Sequence, residues 1–201
     1  MKVGVLYSGG KDSSIMAIIL QRMGFSVELL TANFGVYDSY ISASKSAESL
    51  NFNHKVLNLD KKILKKTVDI VIEDGFPTNG ISYIHSKVIE EIATMYPIIA
   101  DGTRRDDRTP KLDINQIQSL EDRKNVQYIN LSGFGFKTID TIAKNLFEIS
   151  YEKSNKKNSS DYEVEIRSLI DEEGFSSKDF FPEHFQSRVI GFKWKIKLGK
   201  S

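Results

Sequence analysis

The chain reads as an α/β protein built on a doubly wound, mostly parallel sheet with a small C-terminal appendage. Three observations support this. First, a short apolar run, Val3 to Tyr7, meets Gly9-Gly10 and then the apolar stretch Ile15 to Leu20, which is the order strand, glycine turn, helix. Second, short apolar runs recur at residues 27–34, 53–59 and 97–100, separated by segments of helical spacing, the pattern of parallel strands joined by crossover helices. Third, 201 residues with 40% hydrophobic content suit one such domain: residues 1–150 for the main sheet, residues 151–201 for an appendage packed on it.

Taken in order, residues 27–34 form the second strand and end at Gly35. Residues 38–50 place Tyr40, Ala43, Ala47 and Leu50 on one helical face. A third strand over 53–59 starts near His54, a structural histidine on this reading. Residues 61–73 turn Ile63, Leu64, Val68, Val71 and Ile72 inward and stop at Gly75 and Pro77. A loop over 77–81 leads into a helix from Ser82 to Tyr96, then a fourth strand at 97–100, a fifth at 126–131 and a helix over 137–148. Residues 152–160 read as a linker, 161–173 as a helix, and 192–197 as a closing strand with alternating lysines.

The turn at Ser8-Gly9-Gly10-Lys11-Asp12-Ser13-Ser14 carries the chemistry. Glycines let an anion approach the backbone, successive N–H groups make a concave anion site, and the start of a helix favours negative charge. Ser8, Ser13 and Ser14 add hydroxyls and Lys11 a point charge; Asp12 caps the helix, as Ser13 also can, or faces a hydrated Mg²⁺. It is not a Walker A loop, because Asp12 follows Gly10-Lys11 and the earlier glycine is missing. The stretch closely resembles the PP-loop of the N-type ATP pyrophosphatases, the adenine nucleotide alpha hydrolase-like superfamily, which includes GMP synthetase, NAD synthetase, asparagine synthetase and tRNA-modifying ligases.

That resemblance implies ATP and Mg²⁺ as cofactors, with Tyr7, Ser8, Gly9, Gly10, Ser13 and Ser14 around the phosphates. It also implies that the end of the second strand, Thr31, Ala32 and Asn33, reads the adenine, with Phe34 as ligand or core. A second motif follows the fourth strand at Asp101-Gly102-Thr103-Arg104-Arg105-Asp106-Asp107-Arg108, on the edge where doubly wound sheets bind ligands. There Gly102 and Thr103 approach the ribose or α-phosphate, Arg104 and Arg105 offer planar donors, and Asp107 or Asp106 joins Asp12 as a metal ligand or orients an arginine. Lys11, Asp12, Arg104 and Arg105 are the catalytic candidates. By the same resemblance Asn79, His85 and Lys87 touch substrate, although Lys87 also suits a solvated face.

The C-terminal third carries no family pattern. Glu165, Arg167, Gln186, Ser187 and Arg188 form a polar set able to return to the cleft. His184, Arg188, Trp194 and the lysines of the closing strand suit an RNA-contacting surface or a solvated edge. Phe134 and Phe136 close the sheet or dock on a base.

A formal net charge of +1 excludes a global basic field for nucleic acid, and no apolar run is long enough to span a membrane. The chain starts directly on a strand, so the expected location is the cytoplasm. With no cysteine, it cannot carry a persulfide for thiolation without a partner. The resemblance therefore implies a pyrophosphate-releasing enzyme that adenylates an acceptor, a tRNA or a small molecule. The alternative is a non-catalytic nucleotide-binding subunit of a tRNA-modifying complex such as a methyltransferase. A protein partner in such a complex and a second copy in a homodimer are the expected assemblies. A stress-type ATP sensor on the same fold would need a later glycine-rich loop that this sequence lacks.

Overall fold

The structure is a computed structural model, and it describes residues 1–153, 162–182 and 185–193. Its centre is a five-stranded parallel sheet of order β3-β2-β1-β4-β5. The strands are β1 (Lys2–Leu6), β2 (Ser26–Asn33), β3 (Asn53–Asn58), β4 (Ile98–Arg104) and β5 (Gln127–Leu131). Both faces of a parallel sheet must be covered, so its strands alternate between two apolar cores rather than between core and water. Val3, Val5, Leu29, Ile98 and Ala100 face one core. Leu30, Ala32, Phe34, Leu57 and Ile99 face the other.

The first core is closed by α1 (Lys11–Arg22), α2 (Tyr40–Ser49) and α6 (Phe136–Leu146), through Ile15, Ala17 and Leu20, Ala43 and Ala47, and Ile139 and Ala143. The second is closed by α3 (Lys61–Asp74), α4 (Thr78–Ile92), α5 (Ile114–Lys124) and α7 (Tyr162–Glu172). The short α8 (Ser177–Phe180) follows α7. The class expected from the sequence is the one observed: a doubly wound sheet whose order reverses between β1 and β4.

Three boundaries differ. The fourth helix begins at Thr78 rather than Ser82, so Asn79 and Gly80 are helical. Gly80 is where α3 and α4 meet, since a Cβ there would stand 2.4 Å from Val71 Cγ2. The helix expected over 137–148 ends at Leu146, and Phe147 starts a strand, β6 (Phe147–Lys153). Phe147, Ile149 and Tyr151 alternate with polar residues, a period-two signal hidden directly behind a helical one. Glu152 and Lys153, read as linker, close that strand.

β6 pairs antiparallel with β7 (Phe185–Phe192), where Ser150 stands opposite Arg188. The closing strand expected over 192–197 is thus preceded by β7, and Trp194, the lysines beyond it and His184 lie outside the described residues. The two-stranded sheet belongs to the first core through Phe147 and Val189. Among the described residues no helix is long and apolar enough to cross a membrane.

Candidate nucleotide site

The glycine turn is open where a phosphate would need it. Gly9 takes φ +80°, a value that a residue with a Cβ adopts rarely. Gly10, not Asp12 or Ser13, is the N-cap of α1, and among the described residues no side chain caps the helix. The first N–H groups of α1 therefore lack a side-chain acceptor and carry the positive end of the helix dipole. The serines turn back instead of capping: Ser13 and Ser14 hydroxyls donate to Gly10 C=O at 3.2 and 2.8 Å. Ser14 is fully buried and shares its hydroxyl with Tyr7, which also bonds Ser46 at 2.8 Å. The Tyr7 ring is therefore a core group, and only its backbone belongs to the cleft.

A cavity of about 200 Å³ opens at the carboxyl ends of β1, β2 and β4, at the reversal of strand order. Leu6, Tyr7 and Ser8 line it from β1, Asp12 and Ser13 from α1, and Thr31 and Ala32 from β2. Asp101, Gly102, Thr103 and Asp107 line it from β4 and beyond, and His85 and Tyr162 close its back. The β4–β5 pairing breaks between Ala100 and Arg104, which frees Asp101 to Thr103 for the cleft. A Cβ on Gly102 would stand 2.5 Å from Ser13 N, so this glycine lets β4 reach the first turn of α1.

Arg104 is the inward arginine of the pair. Its Nη1 lies 3.0 Å from Asp12 Oδ2, its Nη2 pairs with Asp107 Oδ1, and Nε stands 3.4 Å from Asp106 Oδ1. Arg105 is exposed and packs toward Gly135. Lys11 Nζ and the Arg104 guanidinium lie 5.1 and 5.3 Å from the centroid of the half-exposed Phe136 ring, within cation–π range. Asp106 accepts the Phe136 N–H at 2.8 Å and so fixes the start of α6. Phe136 is thus a cover for the two cations rather than a closure of the sheet. Burial pushes the Asp12 carboxyl above its ordinary value, against the pull of Lys11 and Arg104. Its Oδ1 is buried without an aligned hydrogen bond, Lys11 Nζ standing 3.3 Å away.

Behind the cavity lies a buried polar network. Asp101 Oδ1 accepts the Thr103 N–H and hydroxyl at 2.8 and 2.7 Å, and Oδ2 accepts Tyr128 OH at 2.5 Å. His85 Nε2 lies 3.0 Å from Asp101 Oδ2 and its Nδ1 3.0 Å from Tyr162 OH. Burial alone would raise the Asp101 pKa, but His85, Tyr128 and Thr103 together hold it below the usual value. Burial, and after it the same carboxylate, push the Tyr128 phenol far up.

Of the residues expected at the site, Tyr7, Ser8, Asp12, Ser13, Ala32, Gly102, Thr103 and Asp107 line the cavity, and His85 joins them. Lys11 and Arg104 stand beside it, held by Asp12 and Phe136, and Arg105 is turned away. The Asn33 amide folds its own turn, donating to Tyr37 C=O at 2.7 Å and accepting Gly35 N–H at 3.1 Å. Asn79 donates to Asp74, and Lys87 pairs with Glu90 on the surface. His54 bonds Thr31 and Ser44, a structural role as expected.

Glu165 does return to the sheet edge, where its carboxylate accepts the N–H groups of Phe34, Val36 and Tyr37. Arg167 instead pairs with Glu163 and stacks on Phe181. Ser187 C=O lies beside Gly10, and Val189 N–H donates to Gly9 C=O at 3.0 Å, so β7 supports the glycine turn. Tyr162 and the β7 contact had no sequence signal. Asp101 had one, because a carboxylate ending an apolar strand must find partners.

Against known proteins, the chain is 52% identical over 197 residues, 98% of both, to Uncharacterized protein MJ0690 of Methanocaldococcus jannaschii. A solved structure from the same organism, described as a predicted subunit of tRNA methyltransferase, superposes with TM-score 0.92 at 51% identity, over 98% of this chain and all of that one. The U34-tRNA thiolase NcsA from Methanococcus maripaludis shares the fold, with TM-score 0.55 and 21% identity over 89% of this chain and 69% of that one. A stretch of 69 residues, 34% of this chain and 20% of the other, is 36% identical to the tRNA-specific 2-thiouridylase MnmA of Syntrophomonas wolfei. The model of one family, described as a family of unknown function (DUF7411), matches residues 1–191, and the chain belongs to that family.

Proposed function

We propose that the cleft binds ATP with Mg²⁺ and that the protein is a PP-loop enzyme adenylating an acceptor, with release of pyrophosphate, in RNA modification. One observation carries the reading: α1 begins at a glycine turn with no side-chain cap and opens into a cavity at the reversal of strand order. The amides after Gly10 and the Ser8 hydroxyl would hold the phosphates. Asp12 and Asp107 would hold Mg²⁺; the buried Asp12 Oδ1 without an aligned hydrogen bond fits a cation. Bound there, the ion would neutralise phosphate charge. Arg104, poised between Asp12 and Asp107, would shift its donors to the charge that develops at the α-phosphate. The chain's part is positioning and electrostatics.

The acceptor reading draws on relatives described as a tRNA thiolase, a tRNA 2-thiouridylase and a predicted tRNA methyltransferase subunit. A second reading, an ATP-binding subunit without turnover, is favoured by the same Arg104, whose two terminal nitrogens are paired with Asp12 and Asp107. Pyrophosphate release measured with ATP, Mg²⁺ and tRNA separates the two. Acceptor-dependent release supports the enzyme; tight ATP binding without release supports the subunit; no ATP binding sinks both.

A further inference from the structure

A second cavity, of about 450 Å³, shares no lining residue with the first. The loop from Gly35 to Ser39, the first turns of α2, and Arg188 of β7 line it. Its floor is the N-terminus of α2, a helix of 10 residues with no side-chain cap and no acidic residue in its first turn. Ser39, the N-cap, is 1% exposed, and its hydroxyl has no hydrogen-bond partner among the described residues. A buried hydroxyl without a partner, on the wall of a cavity, marks a missing ligand atom rather than a packing group. Lys45 and Arg188 bring positive charge to the same wall, where Asp38 is the lining carboxylate and Glu152 also acts on Arg188. The Ile41 N–H donates to Asp38 C=O, but a helix start without a side-chain cap, an orphan hydroxyl and two cationic side chains together select an anion.

We infer that this cavity is a second phosphate-binding site, which takes the phosphate of a nucleotide unit. The volume exceeds that of a bare anion, and Tyr37 on the wall offers a ring on which a base can stack. The site is separate from the ATP cleft yet touches its loop: Arg188 precedes Val189, whose N–H donates to Gly9 C=O at 3.0 Å. Gly9 also rests on the backbone of α2, a Cβ there standing 3.3 Å from Ala43 Cα. The nucleotide is thus held behind the loop that grips the first ligand. Its source is a free nucleotide or the backbone of a single RNA strand.

The test is a backbone-amide NMR titration of the full chain with uridine 5′-monophosphate, uridine and a short oligouridylate. The monophosphate should shift Ser39 to Ala43, and uridine at equal concentration should not. Lys45→Gln and Arg188→Gln should each weaken the monophosphate about tenfold, the loss of one charge-assisted contact. ATP affinity of Lys45→Gln, an exposed position that leaves folding intact, should stay within about twofold. Oligouridylate binding at least about tenfold tighter than the monophosphate assigns an RNA strand, and equal affinities assign a free nucleotide. Shifts confined to Ser8–Ser14, equal shifts with uridine, or unchanged affinity in both variants overturn the inference. Shifts at α2 without ATP binding would keep this site and remove only the ATP reading.

Discussion

At the residue scale the decisive group is Asp12. Its carboxyl is held above its ordinary value by burial, so the folded protein gives up its proton reluctantly. The folded pKa exceeds the unfolded one, so this group stabilises the fold when protonated, and that contribution is lost as pH rises through the folded value. Asp12→Asn should therefore not lower the thermal midpoint, while Mg²⁺-dependent ATP binding falls at least about tenfold; calorimetry on the same samples checks both. In the wild type, ATP·Mg²⁺ affinity should start to fall on acidification at a higher pH than an ordinary aspartate would give. A profile unchanged down to the usual carboxylate range would remove Asp12 from the metal site.

The glycines and Asp12 were legible because backbone freedom and charge are written in single letters. The partners of Arg104 and the exposed Phe136 above it were not, because they come from α6 and only the folded sheet brings them together.

At the element scale the joint between β4 and α1 governs the loop. Gly102→Ala would force a Cβ to 2.5 Å from Ser13 N, and neither backbone can yield cheaply. It should cost about 1–3 kcal/mol of stability and weaken ATP through the displaced first turn of α1; chemical denaturation and equilibrium binding test it. Glu165→Ala leaves the N–H groups of Phe34, Val36 and Tyr37 without their buried acceptor, and should cost about 2–4 kcal/mol by the same denaturation. The five parallel strands could be read in advance, since each is a compact apolar run between helical segments. β6 could not, because its alternation begins at the residue where α6 stops. Nor could β7, whose place is set by pairing across the chain rather than by local pattern.

At the scale of the whole molecule, ligand and fold are linked. On the proposed function, ATP present at 100 times its dissociation constant would add about 2.7 kcal/mol, which for a chain of this length would raise the midpoint by about 5–10 °C. Thermal melts with and without ATP·Mg²⁺ measure it, and no shift would count against the site. The buried network sets the acid limit. Asp101 lies below its ordinary value, so its stabilisation is present above the unfolded carboxylate pKa and lost as pH falls through the folded one. Acid unfolding of Asp101→Asn should accordingly depend less on pH than that of the wild type. Tyr128→Phe, which removes one donor to that carboxylate, should cost about 1–3 kcal/mol.

The contact between Val189 and Gly9 joins positions that a ribosome makes far apart in time. During synthesis the glycine turn appears almost at once but waits for its brace until nearly all of the described chain has emerged. A growing polypeptide stalled before that strand should retain nucleotide poorly, so ligand capture would report that the last strand is in place.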